Sequence, residues 1–330
     1  MNLSNIAKKA GVSVSTVSKA FSGSREIGEA TRQRIFEIAR AEGCFDKYNK
    51  NPFSKPVIAV ICPESESAYY NAILSRLDRE IAARGGIMAV SFGGFDKGRE
   101  EELFYYYSAY CRANGIILIN THCDVKNADL VPTVGIGIAG ESKNVSRIVL
   151  GQQKGIEDAV QYLKAGGHRD IGFAGEPLTV SKMNAFKQAM RRAGLRVDDA
   201  LIRLSSARFE RAGIEIARAW LEQGRVPSAI LAAYDNIAVG VIKTLQEGGL
   251  RVPQDVSVIG MDDIAIAPYL ETPLSSIKTH TEDACCMAVE LLMRKIENQY
   301  YSEREEIVIP SEFIVRESSA AYSANHEKVP

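Results

Sequence analysis

The chain has 330 residues, of which 46% are hydrophobic and 25% charged, with a formal net charge of −1. That length is too great for one small core and suits two or three domains of an ordinary globular protein. No apolar run approaches the ~20 residues of a membrane-spanning helix, and the N-terminus lacks the apolar stretch of a signal peptide, so a cytoplasmic protein with no membrane partner is expected.

Residues Asn2 to Ser22 contain two short helical patterns separated by Ala10-Gly11-Val12-Ser13. Leu3, Ile6, Ala7 and Ala10 share one face of the first, and Val17, Ala20 and Phe21 share one face of the second. Gly11 permits the sharp turn, and Ser13 can cap the second helix. This is the layout of a helix-turn-helix, whose second helix enters the DNA major groove. The outer face of that helix carries Val14, Ser15, Thr16, Ser18, Lys19 and Ser22. Hydroxyls and lysine bond phosphates or base edges, and valine fits a thymine methyl. Spacing alone fits two amphipathic surface helices with a serine-rich face equally well.

A third helix is expected over Thr31 to Glu42, with Ile35, Ile38 and Ala39 closing a small core. Residues 1–51 hold nine Lys/Arg and five Asp/Glu, a net of +4, which leaves −5 on the remainder. A basic module on a mildly acidic body points to a polyanion at that end.

Asp46 to Pro56 is polar with two prolines and reads as a linker. From Val57 strands and helices alternate. Strands are expected at Val57–Cys62, Ile87–Phe92, Gly115–Ile119 and Val134–Ile138. Helices are expected at Asn71–Arg84 and Glu100–Arg112. A second series follows, with helices at Gly155–Ala165, Lys182–Ala193, Ile214–Gln223 and Asn236–Gly248. Its strands are at Asp170–Ala174, Ala229–Ala233 and Val256–Gly260. This alternation predicts an α/β fold with two sheets in two lobes, and ligands of such sheets bind beyond the carboxyl ends of the strands. Pro63 and Glu64, Tyr234 and Asp235, and Asp262 and Asp263 occupy such positions. Cys44, Cys62, Cys111, Cys123, Cys285 and Cys286 show no metal-ligand spacing, and no cofactor is expected. Ala321 to Pro330 reads as a frayed tail.

Three ordered blocks resemble the LacI/GalR family of bacterial transcriptional repressors. They are I-A-K-K-A-G-V-S-V-S-T-V-S-K-A-F with T-R-Q-R-I downstream, A-G-G-H-R-D-I-G-F-A-G from Ala165, and V-P-Q-D-V-S-V-I-G-M-D-D from Val252 followed by T-P-L-S-S-I. The resemblance runs from Leu3 to about Ser318. It implies a helix-turn-helix headpiece (1–51), a linker (52–56), a two-lobe periplasmic-binding-protein-like domain (57–320) and a tail (321–330). It also implies a homodimer on a near-palindromic DNA operator, gated by a small-molecule effector held between the lobes, most often a sugar or derivative.

Carried onto this chain, the resemblance sets Val14, Ser15 and Lys19 toward base edges. Ser13, Thr16, Ser18, Ser22 and Thr31 hold phosphates, and Arg25 contacts phosphate or a base. Local capping is the competing use of each hydroxyl. The effector set is Tyr69, Tyr70, Lys182, Phe186, Arg208, Tyr234, Asp235 and Asp262.

Several positions depart from the family pattern. The segment Lys47 to Pro56 lacks the usual Ala/Leu-rich hinge helix; Phe53 stands near the wedge position with Pro52 before it. Weaker DNA kinking, or a different coupling of effector to headpiece, is therefore expected. Gly28 replaces the serine that caps the third helix. Lys182 replaces an arginine, Gly137 an aspartate and Tyr234 an asparagine, while Arg208 stands where an aromatic often sits. Lys182 and Arg208 together suit an anionic or phosphorylated ligand, and a nucleobase or a protein partner is a further alternative. An enzyme is not expected: His122, His280 and His326 are scattered, no nucleophile triad or glycine-rich phosphate loop is present, and His168 in the G-G-H-R block reads as a turn support.

Overall fold

The computed structural model describes residues 2–322 apart from 23, 25, 49–54, 112, 122–130, 139–144 and 299–303. The expectations placed on Arg25, Pro52, Phe53, His122, Cys123 and His326 lie outside the described residues. The chain divides into two compact units, residues 1–148 with 285–306, and 149–284 with 307–330.

At the N-terminus, α1 (Leu3–Ala10), α2 (Val14–Phe21) and α3 (Glu29–Ala41) surround a core of Ile6, Ala7, Ala10, Val17, Ala20, Phe21, Ile35, Phe36 and Ala39. The Asn2 side chain caps α1 by accepting from Asn5 N at 3.1 Å. Gly11 ends α1 in the left-handed region at φ 64°, which lets α2 start three residues later. The third helix begins two residues before Thr31, and Gly28 caps it without a side-chain bond. A short helix, α4 (Phe45–Tyr48), was not foreseen. Phe45 meets Phe36 edge-on at 5.2 Å and Tyr48 lies 5.8 Å from Phe21, so this turn covers the open side of the small core.

The rest of the first unit is built on β1 (Val57–Cys62), α5 (Ala68–Ala83), β2 (Ile87–Phe92), α6 (Lys97–Tyr105), β3 (Gly115–Ile119), β4 (Thr133–Ile136) and β5 (Ser146–Gly151). The helix expected to reach Arg112 ends its α-helical part at Tyr105 and widens into a π turn, Tyr106–Tyr110. There Tyr107 is buried, and its hydroxyl lies 2.8 Å from Ser91 Oγ on β2.

The second unit follows the same plan with α7 (Gln152–Ala165), β6 (Ile171–Gly175), α8 (Val180–Arg192), β7 (Ile202–Leu204), α9 (Phe209–Glu222), β8 (Ala229–Ala232), α10 (Asp235–Glu247), β9 (Ser257–Met261) and β10 (Ser275–Lys278). After these come α11 (Thr281–Glu297), β11 (Glu306–Pro310) and β12 (Glu312–Ile314). The two sheets have orders β11-β5-β4-β3-β1-β2 and β12-β10-β9-β8-β6-β7. Pairing is parallel throughout β1 to β5 and β6 to β10, whereas β12 is antiparallel to β10. Parallel strands covered by helices read as unbroken apolar runs, which is why V-I-A-V-I-C and G-I-I-L-I are legible as strands. Strand order reverses between β1 and β3 and between β6 and β8, the switch points where such sheets open a crevice.

The C-terminal end corrects the expectation of a frayed tail at its first residues. Tyr322 N donates to Gly166 O at 2.7 Å and its ring lies 5.4 Å from His168. His168 is buried, with Nδ1 3.0 Å from Ser228 Oγ and Nε2 3.0 Å from Ala320 O. Desolvation lowers its pKa. The histidine ties Ala320 to the residue ahead of β8. No helix among the described residues is long and apolar enough to cross a membrane.

Candidate functional site

On α2 the inward residues Val17, Ala20 and Phe21 leave Val14, Ser15, Ser18 and Lys19 exposed on the opposite face, with Thr16 half-buried. Val14 is 45% exposed. Several hydroxyls are engaged locally. Ser13 Oγ accepts from Thr16 N at 3.1 Å and lies 2.9 Å and 2.8 Å from Ser15 Oγ and Thr16 Oγ1. Ser22 Oγ donates to Lys19 O at 3.1 Å. Thr31 is half-buried in the first turn of α3. Lys19 forms an ion pair with Glu26 in the turn between α2 and α3, a residue the sequence reading did not single out.

In the second unit Lys182, Tyr234 and Asp262 lie beyond the carboxyl ends of β6, β8 and β9, and Arg208 follows β7. Lys182, on α8 after β6, donates to the carbonyl of Ala233 at 2.9 Å, just past β8, and so spans the switch point of this sheet. Its ammonium is also 3.5 Å from Asp262 Oδ1 and 4.3 Å from the centre of the Tyr234 ring. Burial pushes the Asp262 carboxyl up to about 6, opposed by Lys182. Arg208, ahead of α9, lies 3.3 Å from Glu176 Oε1. Glu176 follows β6 directly and is buried. Lys182 and Arg208 are thus each matched by a carboxylate. The sequence reading, which took the two as suited to an anionic or phosphorylated ligand, did not foresee these carboxylate partners.

Asp262 and Asp263 adopt φ of 103° and 51°. Such backbone is rare for residues other than glycine and is held in place by its surroundings. Asp263 pairs with Arg316 at 2.7 Å, and its backbone N–H donates to Ser276 Oγ at 3.0 Å. Behind this turn sits Asp235, fully buried. Its Oδ1 accepts from Ser276 Oγ at 2.6 Å and its Oδ2 from Ile264 N at 2.8 Å. Desolvation above all pushes the Asp235 carboxyl up to about 8. Asp235 therefore shapes the loop that presents Asp262 and is not itself on an accessible face, which corrects its assignment to the effector set. Phe186 is corrected likewise. It is 1% exposed and packs 5.5 Å from Phe173 in the core, because α8 turns this position toward the sheet.

In the first unit Ser67 caps α5 by accepting from Tyr70 N at 3.2 Å. Tyr70 is buried, its hydroxyl accepts from Asn120 Nδ2 at 3.1 Å, and its ring stands 6.4 Å from Phe95. Tyr69 is half-buried and meets Tyr70 at 77°, so the two rings form no flat platform. Asn120 and Glu176 were missed, although both stand at the carboxyl end of a strand, the position that picked out Asp262.

Residues 2–43 match the family described as bacterial regulatory proteins, lacI family, and residues 160–319 match the periplasmic binding protein-like domain. The HTH-type transcriptional repressor CytR of Escherichia coli (strain K12) is 26% identical over 335 residues, 97% of this chain and 96% of that protein. The ribose operon repressor of Haemophilus influenzae is 27% identical over 96% of this chain and 98% of that one. Among solved structures, a transcriptional regulator CelR–cellobiose complex superposes with a TM-score of 0.70 at 26% identity, covering 97% of this chain and all of that one. The lac repressor dimer bound to operator shares the fold, with a TM-score of 0.72 over 97% of this chain and 99% of that one at 21% identity. The chain therefore joins a three-helix headpiece of the lacI family of bacterial regulatory proteins to a periplasmic-binding-protein-like domain, the make-up of its relatives among the LacI-family transcriptional regulators.

Proposed function

We propose that the protein is a cytoplasmic repressor that binds a near-palindromic operator as a homodimer and responds to a neutral, polyhydroxylated small molecule, a carbohydrate or a derivative of one. The pairing of charges carries the choice of ligand. Lys182 faces Asp262 and Arg208 faces Glu176, so the carboxyl-end face of the second sheet offers donors and acceptors side by side with little net charge. Sugar hydroxyls both donate and accept, and Tyr234 supplies a ring against which a sugar face can lie. A phosphorylated ligand would have to displace these carboxylates from their cations. The cellobiose named in the structure of a relative, and the ribose in the name of another, support the same class. The single headpiece in the chain and the dimeric lac repressor that shares the fold support the dimer, since a pseudo-palindrome matches a two-fold protein.

A thermal-shift panel of neutral mono- and disaccharides against sugar phosphates and nucleobases tests the ligand class. A ligand at 100 times its Kd stabilises by about 2.7 kcal/mol. Stabilisation by sugar phosphates or nucleobases and not by neutral sugars overturns the ligand assignment. Selection from random duplex DNA tests the remainder, with a pseudo-palindrome of fixed half-site spacing as the expected product.

A further inference from the structure

The ion pair between Lys19 and Glu26 places a carboxylate on the face of the headpiece that meets DNA. Glu26 is well exposed, at 69% of its side chain, and Lys19 at 47%. The turn that carries Glu26 is fixed to the recognition helix. Ser24 N donates to Lys19 O at 3.0 Å, and Glu26 N donates to Ser24 Oγ at 3.3 Å. Buried Arg32 of α3 donates to Ala20 O at 2.9 Å and to Ser24 O at 2.7 Å, tying helix end and turn together. Glu26 is therefore set beside Lys19 by bonds of the turn to the helix end and to Arg32, not by the ion pair alone.

A carboxylate on a surface that approaches a polyanion weakens binding to phosphate and cancels the charge of the lysine next to it. Lys19 is accordingly a poor phosphate anchor. What suits both groups at once is the edge of a G·C pair in the major groove. Guanine O6 and N7 accept from an ammonium, and cytosine N4–H donates to a carboxylate. We infer that Lys19 and Glu26 read a G·C pair jointly, with Glu26 as a specificity-determining residue that accepts from cytosine N4 and suppresses binding to other sequences. The inference rests on the DNA-reading function proposed above.

The test compares wild-type full-length protein with Glu26→Gln and Glu26→Ala by selection from random duplex DNA. Titrations at several salt concentrations follow, on the selected site and on random duplex. Both substitutions lie on an exposed turn residue, and unchanged melting curves verify the fold. In wild type one G·C position per half-site should be strongly selected. In Glu26→Ala the preference there should fall by about tenfold or more, the range of one good base contact. Affinity for random duplex should rise several-fold, and the slope of log K against log salt should steepen by about 0.9 as Lys19 turns to phosphate. Identical consensus, information content and salt slope in both variants overturn the role of Glu26 while leaving the regulator reading intact. A wild-type protein that enriches no site overturns the DNA-reading function and this inference with it.

Discussion

The Lys182 ammonium lies 3.5 Å from Asp262 Oδ1, with only 10% and 7% of the two side chains exposed. Two charges so far from water are stable together and costly apart. Lys182→Met removes the cation and leaves Asp262 buried beside an apolar chain. The second unit should lose about 3–5 kcal/mol, the usual cost of breaking a buried pair. Adding Asp262→Asn should recover most of the loss. Melting of the two single variants and the double variant gives the coupling directly; strict additivity would show that the pair is not one unit.

Asp235 makes stability depend on pH. Its carboxyl is raised from an ordinary 3.8 to about 8 in the folded chain, because burial disfavours the anion. The native state then holds a proton that the unfolded chain has released, so this contribution is complete below the unfolded value and is lost as pH rises toward 8. His168 acts with the opposite sign just below its ordinary 6.5, since burial lowers it. Above about pH 7 the comparison with Asp235→Asn isolates Asp235, because Lys295, lowered by burial, is common to both proteins. Denaturant melts between pH 7 and 8.5 should show falling stability in wild type and a flatter curve in Asp235→Asn, whose amide keeps one acceptor for Ile264 N. A wild-type curve that rises through this window would contradict the assignment.

Much of this arrangement was legible in residue order. Val57–Cys62 and Gly115–Ile119 coincide with the expected strands, because buried parallel strands are unbroken runs of β-branched and aliphatic residues, and Ile87–Phe92 coincides too although it is a half-exposed edge strand. The three-residue strands β7 and β12 carry too few residues for any period to show, and neither was expected. Position after a strand end singled out Asp262 and Tyr234, which both lie beside Lys182, while the placing of Phe186 and Asp235 depended on which way one helix face turned. A polar residue next to a strand end reads the same whether it faces a ligand or, as Asp235 does, the back of a neighbouring turn. The Glu176–Arg208 pair links residues 32 apart in sequence, a separation that no local pattern reports.

Gly260 is fixed by that same aspartate. A Cβ at this position would sit 2.0 Å from Asp235 Oδ1 and 3.1 Å from its Cα. Gly260→Ala must displace Asp235, and with it the bonds to Ser276 and Ile264 that shape the Asp262 turn. The expected cost is about 1–3 kcal/mol, as for other overpacked sites. Ligand affinity should fall as well, because the turn that presents Asp262 moves. Calorimetric melting and ligand titration of this variant provide the check; wild-type values for both would mean that the loop adapts freely.

Arg32 ties the headpiece core to the end of α2 and the turn that follows it. Its guanidinium reaches Ala20 O at the end of α2 and Ser24 O in the following turn, at 2.9 Å and 2.7 Å. Hydrogen bonds from a charged donor contribute about 1.5–3 kcal/mol each. Arg32→Ala should therefore loosen the end of α2 and the turn bearing Glu26. Arg32→Lys should rescue poorly, because one ammonium lacks the planar fork that spans two carbonyls. Operator affinity should drop by at least tenfold in both variants while the ligand-induced thermal shift of the remainder stays as in wild type. Amide exchange over residues 18–27 should quicken in step with the loss of affinity. Unchanged exchange with lost affinity would overturn the positioning role of Arg32.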